Sequence, residues 1–509
     1  MSEEVLKNKR ILIFQQRGWA ISVGMRLAQK LEKEGCILAA ITIKKSTHTA
    51  IINSKTNYEF ILNSDEVKED PVRYLGADSI TLEDVCRDLG VKSVWKLAQA
   101  SRYHVKSYKD KYYFGFKQNL SDQEIKNYIL SIYKYISYIF DNFQPDFIIT
   151  PNFAGLQHIM FNLFARKKGI TMLGYVDSKV PNLTLLTTSY LADQGRFFEL
   201  LSRLNSGVES QLYDDSKDLL VNIRLEYQKR ASNDTIQENI QKKRFKQKIK
   251  NEFIPFARVM LFFLRRRKNQ LKNQSVTLDD QSPYYIIRDY IQAKVNSFFS
   301  NKFVNNELPK KNGFAYYPLQ VQPEATIDIL SPQFNNQLET ARQIAMSLPG
   351  EMTLVVKDHP SMKDKRPKSY LEKLSRLPNV QLVESNIATE KILKKSSIII
   401  SPGGTTLFQA AVLFKPVIQL GEIGTTKMLP NVFCHSDMST LSEKIEVVLS
   451  EKIESEIYDK KLINYIVAAK EVGFDLDYYE IAEKNKKTHR SEVDAVCERL
   501  IEEIRYYAN

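Results

Sequence analysis

The sequence predicts an α/β protein with two domains, each built on a parallel sheet, joined by a basic helical segment. Its 509 residues are too many for one compact core. Near the N terminus, the apolar run Arg10–Gln15 precedes the helical spacing of Ala20–Leu31 and a second apolar run, Cys36–Ile43, which is a β-α-β pattern. The same alternation resumes at Phe314. Two separate regions of alternation predict two α/β domains.

A second unit of this kind completes the predicted N-terminal domain. The apolar strand Asp146–Thr150 is followed by a turn over residues 151–155, the helix Leu156–Lys167 and the strand Ile170–Tyr175. Because strands connected through helices run parallel in almost all such units, we expect a parallel sheet.

The predicted C-terminal domain has the clearer alternation. Its elements are the strand Phe314–Gln320, helix Gln333–Ser347, strand Met352–Lys357, helix Lys368–Arg376, strand Val380–Glu384, helix Thr389–Lys394, strand Ser397–Ser401, helix Thr405–Phe414 and strand Pro416–Leu420. Strand signals are absent from about Glu199 to Asn306, and an amphipathic helix, Ser491–Tyr507, follows the second domain. We therefore predict an N-terminal domain, a helical basic connector, a second α/β domain and C-terminal helices, over residues 1–200, 201–310, 311–470 and 471–509 respectively.

Composition is that of a soluble globular protein. Hydrophobic residues make up 43% and charged residues 26% of the chain. The first ten residues lack the apolar core of a signal peptide, and nowhere do about 18 apolar residues run together as a membrane-spanning helix requires. We expect a cytoplasmic protein. Its four cysteines have neither zinc-site nor disulfide spacing, so we expect them to be reduced and structural.

The net charge of +13 is concentrated in one segment. Lys242–Lys272 contains twelve cations and a single carboxylate, and these cations bracket a short apolar run. Such a segment is too short to span a bilayer but suits an anionic membrane surface, whereas a solvated charged helix is the alternative. The residues expected at the inner face of the cell membrane are Lys248, Lys250, Phe256, Phe262, Phe263, Arg265, Arg266 and Arg267.

The glycine-rich segment Ser401–Thr406 lies between a predicted buried strand and a helix. Free amides at a helix N terminus, approached closely because glycine has no side chain, form an anion site, and threonine hydroxyls add donors. Phosphate binding is one interpretation. The other is an ordinary strand-to-helix turn that needs glycine and a capping threonine.

Two further motifs also follow predicted strands. Lys357-Asp358-His359-Pro360 comes directly after one strand, so its side chains emerge at the carboxyl edge of the sheet, where α/β domains bind ligands. Gln320–Glu324 follows another strand, and Glu324 either contacts a sugar hydroxyl or caps the next element. Because the edge is shared, Lys357 and His359 are candidates to bind the same phosphate as the glycine-rich segment.

In this order the motifs resemble the capsule polysaccharide biosynthesis glycosyltransferases, a family that includes the Kdo transferases of bacterial capsules and shares an HP motif with bacterial sialyltransferases. The matching segments are Val321–Ala325, Ser347–Pro349, Val356–Pro360, Asn379-Val380, Gly403–Thr406 and Lys415–Ile418, followed by Gly421. The resemblance covers about residues 314–432. The N-terminal half is similar only in its β-α-β pattern.

The resemblance implies two Rossmann-like domains that face a cleft, the GT-B arrangement, and a nucleotide-sugar donor, with a CMP-linked donor favoured by the HP motif. It also implies that His359 and Gly404–Thr406 bind the donor phosphates. The candidate donor-binding residues are Pro323, Glu324, Gly403, Gly404, Thr405, Thr406 and Gln409. At Gln409 the chain departs from the family, which usually has a glutamate there that binds the ribose.

Glycosyl transfer leaves negative charge on the departing phosphate, so fixed amide and cationic donors accelerate it. His359 and Lys357 suit that role. Asp177, just past a predicted strand of the first domain, is a candidate base for the acceptor hydroxyl, and its alternative role is to cap a loop. Because no pair of aspartates occurs in a suitable loop, we expect neither a metal nor any other cofactor.

Three other functions compete with glycosyl transfer to a growing surface polysaccharide or lipid-linked glycan. A nucleotide-sugar 2-epimerase also uses a glycine pair before a helix. A nucleic-acid-binding protein would account for the basic segment, but the aromatic residues there form one apolar run instead of interleaved stacking platforms, so we expect no nucleic-acid partner. A non-catalytic assembly protein would account for Gln409.

Overall fold

The computed structural model shows two sheets, of seven and six strands, covered by helices. The residues that it describes are 5–76, 80–98, 100–101, 120–232, 253–264, 282–300, 302–311, 313–363, 365–476 and 490–508. The predicted α/β class and the two-domain arrangement are confirmed. The four cysteines, all of them among the described residues, are unpaired.

The first sheet belongs to the N-terminal domain. Its strands are β1 (Arg10–Gln16), β2 (Ile37–Ile43), β3 (Phe60–Asn63), β4 (Phe147–Thr150), β5 (Thr171–Asp177), β6 (Leu183–Thr187) and β13 (Phe474–Asp475), in the sheet order β13-β6-β5-β4-β1-β2-β3. Strands β1 to β5 pair in parallel. Side chains Ile11, Leu12, Ile13 and Phe14 of β1 are fully buried because helices cover both faces.

The predicted strands of the first sheet pair in parallel, as expected, and two further strands extend one edge of the sheet. Strand β6 pairs antiparallel with β5, and β13 pairs antiparallel with β6. The physical reason is the short connection, residues 178–182, since a parallel crossover needs about a dozen residues. A hairpin is therefore the geometry available to β6.

Helices of the N-terminal domain pack on both faces of this sheet. They are α1 (Arg17–Trp19), α2 (Met25–Lys33), α3 (Lys45–Ile52), α4 (Ser64–Glu69), α5 (Leu82–Leu89), α6 (Trp95–Ala98), α7 (Asp122–Asn142) and α8 (Leu156–Lys167). The long helix α7 begins with a capping box, in which Ser121 accepts from the amide of Glu124 and the Glu124 carboxylate accepts from the amide of Ser121.

The connector is helical wherever it is described. Its helices are α9 (Arg196–Asn205), α10 (Tyr213–Ser232), α11 (253–264) and α12 (Pro283–Ser300). Helices α9 and α10 pack against a later helix that returns from the second domain.

The described strands of the second sheet all pair in parallel. Its strands are β7 (Phe314–Pro318), β8 (Leu354–Lys357), β9 (Val380–Val383), β10 (Ser396–Ser401), β11 (Val417–Gln419) and β12 (Val432–Cys434). The helices that follow are α13 (Gln337–Ser347), α14 (Lys368–Ser375), α15 (Thr389–Lys395), α16 (Thr405–Val412), α17 (Leu441–Ser450), α18 (Glu456–Val472) and α19 (Arg490–Ala508). The order β12-β11-β10-β7-β8-β9 is the doubly wound Rossmann order, with β7 as its first strand.

The chain then returns to the first domain. Helix α18 packs against α9 and α10, β13 joins the first sheet, and α19 packs against α2. An ion pair between Arg26 Nε and Asp494 Oδ1, 2.7 Å apart, joins these last two helices. Among the described helices, none is both long enough and apolar enough to cross a membrane.

Candidate functional site

The central feature of the second sheet is its topological switch point. Strand β7 lies between β8 and β10, and the chain continues in opposite directions across the sheet from this point. Ligands of such sheets bind outside the carboxyl ends of the strands at the switch point. Each of the three sequence motifs follows one of these strands, so the structure brings all three motifs to one edge, as their order in the sequence predicts.

Gln320, directly after β7, connects the three motifs. Its Nε2 donates to Ser401 Oγ at 3.3 Å, and its main-chain oxygen accepts from Arg366 Nη2 at 2.7 Å. Gln337, at the start of α13, binds the main chain of Gln320 on both sides, since its Oε1 accepts from the amide and its Nε2 donates to the carbonyl. These hydrogen bonds are buried, so the loop positions are held from within the domain.

The glycine pair lies where β10 turns into α16. Gly404 has φ +107° and ψ 171°, a conformation that side chains rarely adopt, and a Cβ there would lie 3.1 Å from Gln320 Oε1. No side chain caps α16. Thr405 and Thr406, which both carry a hydroxyl group, are the first two residues of the helix. The first amides of a helix have no intrahelical partner. This helix start has the donors that an anion requires.

His359 begins a short 3₁₀ turn after β8. Its Nδ1 accepts a hydrogen bond from the Ser361 amide at 3.1 Å, which assigns the proton of the neutral ring to Nε2. Partial burial lowers the pKa of His359 below its ordinary 6.5, although the nearby Asp358 carboxylate raises it. The ring is therefore a neutral N–H donor at neutral pH and not an imidazolium.

Lys357 does not have the predicted position. Its side chain is 6% exposed, and its ammonium donates to the Ile387 oxygen at 2.9 Å and to Thr389 Oγ1 at 2.7 Å. Burial lowers the pKa of Lys357 to about 8, against the attraction of Glu390. In this structure the ammonium therefore holds the loop that leads into α15, and its contact with a phosphate stays a prediction.

Arg366 is the residue that sequence reasoning missed. It is 1% exposed and donates from Nε to Asp358 Oδ1 at 3.0 Å, in addition to its bond to Gln320. In the sequence it lies in a cation-rich stretch, Lys363–Lys368. No local pattern there distinguishes a buried arginine from cations exposed to solvent. A guanidinium suits this place because its planar fork can donate in two directions at once.

Pro323 and Glu324 follow Gln320 on the same loop. Glu324 is exposed, and its main-chain oxygen accepts from the Asp328 amide at 2.9 Å, at the start of a π-helical turn, Thr326–Leu330. Ile329 of this turn belongs to the apolar core of the N-terminal domain. The loop after β7 therefore lies at the boundary between the two domains.

Gln409 lies one turn into α16, beside a carboxylate that is close in space but not in sequence. Its Nε2 donates to Glu390 Oε1 at 3.4 Å, and Glu390 also pairs with Arg230 of α10 at 3.6 Å. Because Glu390 can only accept, the amide of Gln409 is oriented with its Oε1 away from this contact. A carboxylate is thus present at this place, although it is contributed by α15.

Asp177, the candidate base, ends β5. Its carboxylate accepts from the amide of Lys179 at 2.8 Å and pairs with Lys179 Nζ at 2.8 Å. Its main-chain oxygen accepts from Thr425 Oγ1 of the second domain at 3.4 Å. These contacts favour the loop-capping interpretation of Asp177 at the domain boundary.

The predicted membrane-surface residues are only partly described. Phe256 and Phe263 are 55% and 56% exposed on α11, as expected, whereas Phe262 is 6% exposed and faces the protein. The prediction was wrong for Phe262 because successive residues of a helix point in different directions, so Phe262 and Phe263 lie on different faces. The flanking cations Lys248, Lys250, Arg265, Arg266 and Arg267 lie outside the described residues.

Comparison with solved structures finds matches at low identity and low TM-score. KpsC beta Kdo 2,7 transferase of Thermosulfurimonas dismutans is 10% identical, with 73% of this chain and 87% of that chain covered and a TM-score of 0.32. A glycosyltransferase of Rickettsia africae is 11% identical, with 96% and 99% covered and a TM-score of 0.26. UDP-GlcNAc 2-epimerase of Methanocaldococcus jannaschii, in complex with UDP-GlcNAc and UDP, is 10% identical, with 89% and 97% covered and a TM-score of 0.26.

Sequence comparison identifies the segment that contains the site. None of the curated proteins matches the chain. Residues 226–423 match the family described as capsule polysaccharide biosynthesis protein. This range begins in α10, includes strands β7 to β11 and contains all three motifs of the switch point. Residues 226–423 are thus similar to the capsule polysaccharide biosynthesis family, the same family that the motifs resemble.

Proposed function

We propose that the chain is a glycosyltransferase that transfers a sugar from a nucleotide-sugar donor to a surface or capsular polysaccharide or to a lipid-linked glycan. One observation carries the proposal. The buried contacts of Gln320 connect the loop of His359 with the helix start at Gly404, at the switch point of a Rossmann-ordered sheet. The family match over this segment supports a role in polysaccharide synthesis.

The chemistry of the site suits a departing nucleotide. The uncapped amides of α16 and the hydroxyls of Thr405 and Thr406 provide hydrogen-bond donors for a phosphate, and Nε2–H of His359 adds a neutral donor at the same edge. Donors fixed before the reaction stabilise the negative charge that develops as the glycosidic bond breaks. In this proposal, neither Lys357 nor Asp177 takes part in catalysis. No metal or other cofactor is required.

We favour CMP as the nucleotide because the motif His359-Pro360 resembles that of families with CMP-linked donors. A thermal-shift comparison of CMP, UDP, GDP and dTDP tests this choice. A nucleotide at a hundred times its dissociation constant stabilises the folded chain by about 2.7 kcal/mol. We expect that stabilisation with CMP alone, and an equal or larger effect of UDP would contradict the assignment.

Dependence on an acceptor tests the reaction class. The purified chain is incubated with a CMP-linked sugar, with and without an acceptor glycan, and free nucleotide and sugar product are measured. We expect nucleotide release to require the acceptor and to match the sugar transferred. An epimerase would instead alter the sugar without an acceptor, and a non-catalytic assembly protein would bind nucleotide without turnover.

We further propose that the chain works as a peripheral protein at an anionic membrane surface on the cytoplasmic side. The exposed Phe256 and Phe263 of α11, together with the cations that flank this helix in the sequence, support association with lipid. Flotation with anionic and neutral vesicles tests the electrostatic part. We expect recovery with anionic vesicles to exceed that with neutral ones and to fall with added salt.

A further inference from the structure

Helix α11 exposes one continuous apolar face. Phe253, Phe256, Met260 and Leu264 recur at intervals of three and four residues, and each is 55–69% exposed. This spacing places them in one stripe along the helix, opposite the buried Phe262. The face points away from the protein and is large for a helix of this length.

Helix α12 exposes a second apolar face, which lies outside the basic segment Lys242–Lys272. Tyr284, Ile291, Val295 and Phe298 are 50–75% exposed and are spaced by seven, four and three residues. They also form one stripe. The basic segment identified from the sequence ends before α12, so charge alone gave no reason to include it.

The two helices lie side by side and are attached to the second domain. The rings of Phe256 and Tyr290 are 5.7 Å apart in an edge-to-face arrangement. At the other end of α12, Lys368 Nζ lies 4.9 Å above the ring of Phe299. Lys368 begins α14, the helix that follows the loop of His359. The apolar surface is therefore connected to the same domain as the candidate site.

The charges on and near α11 and α12 indicate which kind of partner binds this surface. The two helices contain three cations, Arg258, Arg288 and Lys294, and one carboxylate, Asp289. The carboxylate pairs with Arg288 at 2.7 Å. The segments that flank α11 in the sequence, within Lys242–Lys272, supply eleven further cations against one glutamate. An apolar face that is flanked in the sequence by so much positive charge complements an anionic lipid headgroup layer above an apolar interior.

We propose that α11 and α12 together form one docking surface for an anionic lipid bilayer and lie in the plane of its interface. Contiguous exposed apolar patches of this kind are rare on soluble monomers, and at about 18 Å and 27 Å the helices are too short to span a hydrocarbon core of about 30 Å. The inference rests on the proposed membrane association and adds that α12 is half of the surface. Through the contact between Phe299 and Lys368, helix α12 holds the second domain at the membrane.

Paired substitutions test the part played by α12. Ile291→Glu with Phe298→Glu places two carboxylates on the face of α12, and Val447→Glu with Ile457→Glu places two at exposed apolar positions elsewhere, 53% and 70% exposed. Flotation is measured with phosphatidylcholine vesicles, with and without phosphatidylserine. We expect the α12 pair to bind anionic vesicles at least about tenfold more weakly than the wild type, since the anionic surface repels the introduced carboxylates. The control pair should bind as the wild type does.

A substitution that adds no charge gives a second readout. Phe298→Trp should show fluorescence that brominated acyl chains quench on binding anionic vesicles, whereas Val447→Trp should show no such quenching. Both measurements use the full chain, and the thermal transition of each variant reports whether it is folded.

The outcomes separate this inference from the proposals on which it rests. If the α12 pair binds as the wild type while Met260→Glu with Leu264→Glu loses binding, the surface is α11 alone and the inference is overturned, although membrane association stands. If the wild type binds neither vesicle, both membrane proposals fall while glycosyl transfer is still judged by nucleotide release. If sedimentation instead shows a dimer that the α12 pair dissociates, the occupant is a second copy of the chain and the lipid assignment is wrong.

Discussion

Arg366 donates from Nη2 to the main-chain oxygen of Gln320 at 2.7 Å. The same guanidinium donates from Nε to Asp358 at 3.0 Å and is almost completely buried. One cation therefore ties the loop after β7 to the loop after β8. Because Asp358 directly precedes His359, the position of the candidate phosphate donor depends on a residue outside all three motifs.

Removal of this cation should disorder the loops that it joins and lower the free energy of unfolding of the protein. Arg366→Met leaves Asp358 partly buried without its partner, and breaking a buried pair in this way costs about 3–5 kcal/mol. Urea unfolding measures the loss. Arg376→Met is the matched control because its side chain is 75% exposed and pairs with Glu372, in the last turn of the preceding helix α14. The control should change the free energy of unfolding by less than about 1 kcal/mol, and an equal loss in both variants would contradict the role assigned to Arg366.

Gly404 should be required for nucleotide binding and not merely for the turn. Gly404→Ala introduces a Cβ at φ +107°, 3.1 Å from Gln320 Oε1, so it strains the backbone and displaces the residue that joins the three motifs. Backbone strain of this kind costs about 1–3 kcal/mol. Gly350→Ala, at φ +52° with nothing within 4 Å of the new Cβ, provides the control. Nucleotide affinity, measured by calorimetry, should fall at least about tenfold in Gly404→Ala only, a change worth about 1.4 kcal/mol.

Local patterns in the sequence predicted much of the fold. The helix Leu156–Lys167 was predicted with the bounds that the structure shows, because a turn precedes it and a strand follows it. The edge at which the motifs meet was also predictable, since the carboxyl ends of parallel strands face one way. Both inferences needed only the order of elements along the chain.

Relationships between distant residues were not predictable in this way. The burial of Arg366 depends on Gln320, which is 46 positions earlier, and the direction of Lys357 depends on Thr389, 32 positions later. The antiparallel strand β6 was missed although Ser178, Pro181 and Asn182 of its hairpin are residues typical of turns. Hydrophobic periodicity relates only residues that are a few positions apart, so contacts of this range require the folded chain.

The buried Lys357 should make the stability of the protein depend on pH in an identifiable range. Burial lowers its pKa from 10.5 to about 8, so between these values the unfolded chain binds more protons than the folded one. Stability contributed by this group therefore rises with pH from about 8 to about 10.5 and is lost as pH falls. The contribution is on the order of 3 kcal/mol, since each pKa unit is worth about 1.4 kcal/mol.

The comparison with Lys357→Met isolates that contribution from the other groups that titrate in this range. The difference in free energy of unfolding between the wild type and the variant, measured at pH 7 and at pH 10.5, should shift in favour of the wild type at the higher pH. A difference that does not change with pH would show that the ammonium is not desolvated.

The carboxylate of Glu390 should oppose a second one at position 409. Gln409→Glu brings two carboxylates together where Gln409 now donates to Glu390 at 3.4 Å. Because like charges raise the pKa of the introduced carboxyl, the variant should lose about 1–2 kcal/mol of stability as pH rises through that pKa. Gln409→Met, which adds no charge, should lack this dependence on pH. The exchange Gln409→Glu with Glu390→Gln should restore the stability, and failure to do so would indicate that Arg230 decides the arrangement.

His359 should contribute more to turnover than to binding. As the glycosidic bond breaks, Nε2–H of the neutral ring is available to the phosphate on which negative charge accumulates, whereas the ground-state phosphate already has the amides of α16. Removing one such fixed donor costs about 3–4 kcal/mol, or about a hundred- to thousandfold in turnover. His359→Ala should therefore lower turnover by that factor and change nucleotide affinity little. Steady-state kinetics and calorimetry on the same preparations provide the two numbers.

His359 has a second role as a cap, because its Nδ1 accepts from the Ser361 amide at 3.1 Å. The substitution His359→Ser separates this role from the donation to the phosphate. A serine hydroxyl at the cap position can accept from that amide but presents no donor toward a phosphate. We expect His359→Ser to recover the stability lost in His359→Ala, about 1 kcal/mol, without recovering turnover. Since burial lowers the pKa of His359, the cap bond is present above pH 6.5 and is lost as pH falls through the folded value, where Nδ1 becomes protonated. If His359→Ser regains turnover to within about threefold of the wild type, an effect of less than about 0.7 kcal/mol, the ring serves the turn alone and the phosphate donor must be sought elsewhere on this edge.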